Sequence, residues 1–311
     1  MDELDTRIVR ELTQGGHVGL AWGDINPSYI KVSRKLGVSR ETVRKRIEKM
    51  TKSGFLRAFP VQVHPSLLGL SIGNLSLEVP QDSNKEELLS ELALVDGMIL
   101  VATHVTNMVG VSFYYEDEQA KDRKVDLISR ICNGTNGKFT RVPFPPCGIE
   151  LSAKDWRIVA ALQDRRDRPV HEIATVLGIS TRTLKRRTKR MIDGFAIATM
   201  VSSDESKMSG GIIVNLIVEH GSERARTDTD SDLMKTLEPR LIYAGLWASF
   251  SLFTLVLPGI TAAQETLEVV RGTSGVAQAR LDLIEHRVEV YATFAERVKR
   301  KLKQVDAEQY A

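Results

Sequence analysis

Two stretches of this chain repeat one another and dictate most of what it can fold into. Lys35 to Leu56 reads KLGVSRETVRKRIEKMTKSGFL, and Val176 to Phe195 reads VLGISTRTLKRRTKRMIDGF. Leu36, Gly37, Ser39, Thr42, Arg46 and Met50 fall on Leu177, Gly178, Ser180, Thr183, Arg187 and Met191. Ser39 predicts a helix N-cap, its hydroxyl accepting an orphan amide hydrogen of the first turn, and Gly54 predicts the stop. Between them Val43, Ile47 and Met50 recur at helical spacing and share one face, which must be buried. In the second stretch Leu184 and Met191, with Thr188 between, take that role. Upstream of the first stretch, SYIKVSRKL reads as a shorter helix capped by Ser28 and ending at Gly37. Two helices meeting across Leu36-Gly37-Val38 form a helix-turn-helix, whose second helix is the one presented to a DNA major groove.

Charge points the same way. Ser39 to Lys52 holds six basic and two acidic residues, net +4, and Ser180 to Ile192 holds six basic and no acidic residues, net +6. The whole chain is only +3, so everything outside these two helices sums to −7. Positive charge concentrated on two helices is the footprint of a phosphate-contacting surface. A solvated charged face on an ordinary helix pair is the plainer reading of one copy; the second copy weighs against it.

A length of 311 residues suits two to four modules with real cores. Cys132 and Cys147 have no CxxC spacing, and the six histidines show no metal-ligand spacing, so neither a disulfide framework nor a structural zinc is expected. Asn133 to Phe139, NGTNGKF, lacks the remaining spacing of a phosphate-binding loop. These readings predict a non-enzyme without cofactor or metal. The start, MDELDTRIVREL, is acidic and helical rather than a signal peptide, which predicts a cytoplasmic protein. Leu241 to Gln264 is uncharged and long enough to span a membrane. Its serines, Pro258 and strand-favouring residues, and its counterpart MILVATHVTNMVGVSFYY, predict a buried β-hairpin and no membrane partner instead.

Read in order, the chain predicts an α+β protein in which two winged helix-turn-helix domains alternate with two ferredoxin-like βαββαβ domains. The boundaries are 1–63 for the first winged domain, 64–148 for the first sheet domain, 149–205 for the second winged domain, 206–291 for the second sheet domain and 292–311 for a C-terminal amphipathic helix. FLRAFPVQV supplies the first wing as a pair of short strands. Asp5-Thr6-Arg7-Ile8-Val9 is echoed by Asp155-Trp156-Arg157-Ile158-Val159, so the whole winged unit is duplicated. GLSIGNLSLEVP, SNKEELLSELALV, the hairpin Met98 to Tyr115, DEQAKDRKVDLISRICNG and GKFTRVPF give the first sheet module. GIIVNLIV, SDLMKTLE, the hairpin Leu241 to Leu257, TAAQETLEVVRG and the single strand QARLDLIEHRVEVY give the second. The first winged unit has the longer loop, GGHVGLAWGDINP against DRRDRPV, so its DNA-reading surface differs from the second. FAERVKRKLKQVDA is expected to pack on a neighbouring module.

LDTRIV at the first helix, LGVSRETVRKRI across the turn, GFLRAFPVQVHPSLLGL at the wing and linker, and the βαββαβ order that follows resemble the leucine-responsive/asparagine-regulator (Lrp/AsnC) family of transcription factors. The resemblance covers nearly the whole chain in two tandem copies. It implies sheet modules that pair face to face, here an intramolecular pseudo-dimer and further a homodimer, with a small-molecule effector held between sheets. The family's hairpin-turn motif, a Thr-Gly followed by an Asp, falls near Thr106 and Asn107 in the first sheet and near Ala248 and Ser249 in the second. Neither turn carries the carboxylate.

The expected partner is double-stranded DNA. Arg40, Glu41, Arg44 and Lys45, and Thr181, Arg182, Lys185 and Arg186, sit near helix starts where base edges are reached, behind the capping Ser39 and Ser180. Arg46, Lys49, Arg187 and Lys189 are expected on phosphates, fixing register. Unequal helices predict an asymmetric operator. Siroheme decarboxylases share a similar winged-plus-sheet architecture, and His104 and Asn107 resemble their hairpin residues, which makes an enzyme the alternative. A scaffold whose winged units bind protein is another.

Overall fold

A computed structural model of the chain describes all residues except 13–28, 59–60, 164–169, 200, 205–206, 222, 247–249, 291 and 309–311. The cap Ser28, the long loop before it and the hairpin positions Ala248 and Ser249 lie outside the described residues. In chain order the elements are α1 (Glu3–Leu12), α2 (Tyr29–Leu36), α3 (Arg40–Lys52), β1 (Leu56–Ala58), β2 (Val61–Val63), β3 (Ser71–Glu78), α4 (Lys85–Ala93), β4 (Met98–His104), β5 (Met108–Tyr115), α5 (Glu118–Ile131) and β6 (Thr135–Arg141). There follow α6 (Ala153–Gln163), α7 (Val170–Val176), α8 (Thr181–Asp193), β7 (Ile197–Thr199), β8 (Ser202–Ser203), β9 (Ile212–His220), α9 (Glu223–Leu237), β10 (Leu241–Leu246), β11 (Ser251–Leu257), α10 (Ile260–Arg271), β12 (Val276–Asp282), β13 (Ile284–Glu289) and α11 (Ala292–Glu308). The chain divides into two units, and each draws on both halves of the sequence. One holds residues 1–59, 104–106 and 200–286; the other holds 60–103, 107–199 and 287–311.

In the first unit, α1 to α3 pack on the sheet β10-β11-β9-β12, whose neighbouring strands are antiparallel. Strand periodicity assigns the two faces. Val214, Leu216, Val218, Phe253, Leu255 and Leu257 bury against Leu233 and Leu237 of α9 and Ala263 and Val270 of α10. Their neighbours Ile213 and Val256, with Ile242, share a core with Ile8, Val9, Leu12, Val32, Leu36, Val43, Ile47 and Met50 of the three helices. Arg10 of α1 adds a salt bridge to Glu238 at 3.0 Å. The helix-turn-helix and the sheet therefore share one hydrophobic interior within this unit.

In the second unit the sheet runs β4-β5-β3-β6, again antiparallel, with Leu88, Leu89 and Leu92 of α4 and Ile128 of α5 buried on it. The end of β13 runs along the outer edge of β4, where Val290 N donates to Ile99 O at 2.8 Å. Helices α6 to α8 form the second helix-turn-helix around buried Trp156, Ile158, Val159, Ile173, Leu184 and Met191. Helix α11 packs along α6, and Arg157 meets Asp306 across them at 2.8 Å. On the sheet, the Phe139 ring lies so close over Gly73 that a Cβ there would stand 2.3 Å from a ring carbon. Gly73→Ala should therefore force Phe139 out of its contacts with Phe113 and Tyr115, costing about 1–3 kcal/mol. A thermal midpoint unchanged from the parent would contradict this.

Three expectations need correction. FLRAFPVQV does not close on itself as a wing: β1 pairs antiparallel with β8, Leu56 opposite Ser203, and β2 pairs antiparallel with β7, Val61 opposite Thr199 and Val63 opposite Ile197. Only Phe59 and Pro60 separate β1 from β2. A two-residue hairpin turn needs positive φ, which proline's ring forbids and which Gly or Asn normally provides. Each two-stranded sheet is thus built from one strand of each half of the sequence. The single strand expected over QARLDLIEHRVEVY breaks at Leu283, with β12 pairing with β9 and β13 lying beside β4. Helix α9 starts at Glu223, before the expected SDLMKTLE. Its polar Thr229 and Asp230 are buried, Thr229 donating to Ser274 O at 3.0 Å and Asp230 lying 3.2 Å from His220. Leu241 to Leu257 does form the hairpin β10–β11, and among the described residues no helix is long and apolar enough to cross a membrane.

Candidate nucleic-acid interface

Both recognition helices start and are approached in the same way. Ser39 Oγ accepts from Thr42 N at 3.0 Å, and Ser180 Oγ accepts from Thr183 N at 3.1 Å. Before each cap the preceding helix ends in a left-handed glycine, Gly37 at φ +68° and Gly178 at φ +62°. Val38 N then donates to Ser33 O and Ile179 N to Ala174 O, both at 3.0 Å, the six-residue closure that satisfies last-turn carbonyls. A side chain at either glycine meets open space but not an allowed backbone, so it is the conformation that needs glycine here.

Each recognition helix is locked by a buried carboxylate to the helix that precedes its helix-turn-helix. Asp5 of α1 is buried and meets Arg46 at 3.1 Å, and Arg46 also contacts Asp2. Asp155 of α6 is fully buried and takes Arg187 at 2.9 Å and Arg190 at 2.7 Å, with Ser152 Oγ donating to it at 2.6 Å. Burial alone would raise the Asp155 carboxyl; the hydrogen bonds from Ser152 and Arg187 and the charge of Arg190 outweigh it and hold the group below the ordinary carboxylate range. Arg46 and Arg187, expected on phosphates, are therefore engaged inside the motif. The signal for this was present in the sequence as the echo of Asp5 by Asp155, although its partners were not.

The outward faces differ. Arg182, Lys185 and Arg186 occupy the first two turns of α8, within about 100° of arc, and are exposed. Among the described residues none of the three makes an ion pair or hydrogen bond. Their counterparts in α3 are Glu41, Arg44 and Lys45. There Arg44 is clamped by Glu41 at 2.5 Å and Glu48 at 2.6 Å, and Lys45 stands 3.9 Å from Glu41. The hydrogen bond from Arg44, with the positive charges around it, keeps the Glu41 carboxyl below its usual range, so it is ionised at neutral pH. Among the described residues, the exposed cations of α3 without an ion pair are Arg40, Lys49 and Lys52, spread along the helix. Thr181 is half-buried at the start of α8, and Lys189 is held by Asp193 at 2.6 Å.

Thr106 is exposed at the first tip, whereas Asn107 braces the sheet: its Nδ2 donates to Val79 O at 3.3 Å and its carbonyl accepts from Val79 N at 2.8 Å. His104 is buried and meets Asp282 at 2.9 Å, as a strand histidine facing a neighbour would.

Comparison with known proteins gives these helices a context. Residues 151–192, which span α6 to α8, match the AsnC-type helix-turn-helix domain. An uncharacterised HTH-type transcriptional regulator of Pyrococcus furiosus is 35% identical over 161 residues, covering 50% of this chain and 95% of the relative. The HTH-type transcriptional regulator Ptr1 of Methanocaldococcus jannaschii is 27% identical over 99 residues, 32% of this chain and 61% of the relative. Among solved structures, the siroheme decarboxylase NirDL aligns over 100% of both chains with a TM-score of 0.56 at 15% identity, a likeness of fold alone. With a regulator matched over nearly its whole length, and an AsnC-type domain on the capped, cationic helix pair, the chain belongs to the Lrp/AsnC family of HTH-type transcriptional regulators.

Proposed function

We propose that this chain is a sequence-specific regulator of transcription that binds double-stranded DNA through two unequal reading helices, built from two tandem copies of one regulator unit. The observation that carries the reading is the exposed trio Arg182, Lys185 and Arg186 at the capped start of α8, unpaired among the described residues. An N-terminal recognition-helix turn reaches base edges, and Arg or Lys there donates to guanine O6 and N7. On α3 the same face is neutralised by its own glutamates, so that helix contributes weaker readout through Glu41, Arg44 and Lys45. Arg40, Lys49 and Lys52 supply phosphate contacts there. The operator is accordingly asymmetric, with one guanine-containing half-site more sharply defined than the other.

Selection of bound sequences from random duplex DNA tests this directly. One strongly enriched half-site beside a weaker one is expected; a pool that emerges unenriched sinks the reading. A purified chain that ignored duplex DNA yet bound an iron tetrapyrrole would move the assignment to the enzymes that share this fold. The clamp on Arg44 makes a separate prediction. Glu41→Gln combined with Glu48→Gln frees Arg44 and removes two negative charges from the DNA-facing side. Low-salt affinity for any duplex should rise severalfold, and fluorescence anisotropy on unrelated duplexes would show it. Affinity equal to or below the parent's would mean that α3 does not face DNA.

A further inference from the structure

The helices that precede the two recognition helices carry opposite charge, and the difference runs against that of the recognition helices themselves. Helix α2 holds Lys31, Arg34 and Lys35 and no acidic residue, whereas α7 holds Glu172 and neither lysine nor arginine. In the register that sets Leu36 on Leu177, Lys31 falls on Glu172, Arg34 on Thr175 and Lys35 on Val176. At four matched positions of the recognition helices the order is reversed. Glu41, Arg44, Lys45 and Glu48 of α3 sum to zero, while Arg182, Lys185, Arg186 and Lys189 of α8 sum to +4. The first motif clusters its cations on α2, the second on the opening turns of α8.

Burial decides which way these residues face. Val32, Ser33 and Leu36 are buried on one side of α2, and Lys31, Arg34 and Lys35 are exposed on the other, within about 100° of arc. Lys35 meets Glu11 of α1 at 2.7 Å, while Lys31 and Arg34 stand one turn apart in the middle of the exposed side. Arg34 makes no ion pair or hydrogen bond among the described residues. On α7 the matching side shows an exposed carboxylate, a hydroxyl that donates back to His171 O at 3.0 Å, and Val176. In a helix-turn-helix the first helix, here α2 or α7, crosses the nucleic-acid backbone while the second enters the groove. We propose that the two motifs divide binding between them: Lys31 and Arg34 of α2 grip phosphates beside the weaker half-site, with no matching grip from α7 beside the half-site read by α8. Cations on a backbone-crossing helix raise affinity for every sequence alike, whereas cations at the start of a recognition helix discriminate among bases. The first motif holds the chain on a duplex and the second chooses where. This inference rests on the DNA-binding reading above.

The test uses the full chain and the duplex enriched by selection, with a scrambled duplex of equal length. Four chains are compared with the parent: Lys31→Gln with Arg34→Gln; the charge-keeping Lys31→Arg with Arg34→Lys; Glu172→Lys with Thr175→Arg, which installs the cations on α7; and Arg182→Ala with Lys185→Ala and Arg186→Ala. Glutamine suits a helix about as well as lysine and arginine, so the exposed α2 changes leave the fold in place. If each α2 cation covers one phosphate, the glutamine variant's slope of log affinity against log salt should be shallower by about 1.8, and its loss of affinity between 50 and 200 mM salt about 12-fold smaller. Its ratio of specific to scrambled affinity should stay at the parent's value, and backbone protection should recede at the weaker half-site alone. The charge-keeping chain should behave as the parent, the α7 variant should gain a steeper slope on both duplexes, and the α8 variant should lose the ratio. A glutamine variant with the parent's slope and footprint, or an α7 variant without the gain, overturns the division while leaving the α8 reading intact. A parent chain that retains neither duplex overturns both.

Discussion

Arg182→Ala, Lys185→Ala and Arg186→Ala together should lower affinity for the selected operator by about 100-fold or more while leaving the fold unchanged. Each good base contact contributes about 1–3 kcal/mol of discrimination, and 1.4 kcal/mol is tenfold in affinity. The three side chains are exposed and without partners among the described residues, so their loss leaves no orphaned group inside the molecule. The matched substitution in α3, Glu41→Ala, Arg44→Ala and Lys45→Ala, should cost far less, because it removes a set whose charges already cancel in large part. Electrophoretic mobility shifts with the selected duplex separate the two. Equal losses from both helices would sink the proposed inequality, and no loss from the α8 set would sink the readout itself.

Asp155→Asn should be the most damaging single change for stability. The carboxylate is fully buried and accepts from Arg187, Arg190 and Ser152, and breaking such a pair costs about 3–5 kcal/mol. Because Arg190 is half-exposed and can recover water, the lower end, about 3 kcal/mol, is expected. That corresponds to a fall of roughly 10 °C in the thermal midpoint of the unit that holds the second helix-turn-helix. The pH dependence follows from the depressed acidity of the group. Its contribution is fully present above the ordinary aspartate value of about 3.9 and is lost as pH falls through the lower folded value. Melting the parent and the variant at pH 7 and again near pH 3 should show a gap that narrows in acid. A gap of the same size at both pH values would show that Asp155 does not act through its charge.

How far the sequence could be read depended on whether its signals were local. Ser39 and Ser180 as caps, Gly37 and Gly178 as turn residues, and the buried Val43, Ile47 and Met50 were all legible, because the partners of each lie within one or two helical turns. Gly54 takes the left-handed conformation expected of it, but in the second copy Phe195 does so at φ +57°, with Gly194 as the cap. The long-range features were harder. Nothing near Arg46 or Arg187 announces that each turns inward to an aspartate 41 or 32 residues earlier. Strand-forming residues on both sides of Phe59-Pro60 suggest a hairpin wing, and Pro60 is the local clue that they pair elsewhere. The break at Leu283 left no mark, since RLDLIEHRV is equally strand-like on both sides of it.

The exchanged strands bear on how such a chain is inherited. A cut near residue 150 would leave the N-terminal piece with β1 lacking β8 and β2 lacking β7, and the helix-turn-helix core around Ile8 and Val43 would lose Ile213, Ile242 and Val256. Neither fragment contains a complete unit, so the two halves are bound to a one-to-one ratio at synthesis. Because the two halves are one polypeptide, the matching positions of α3 and α8 need not carry the same residue, and Glu41 and Arg182 give them opposite charge at the helix start.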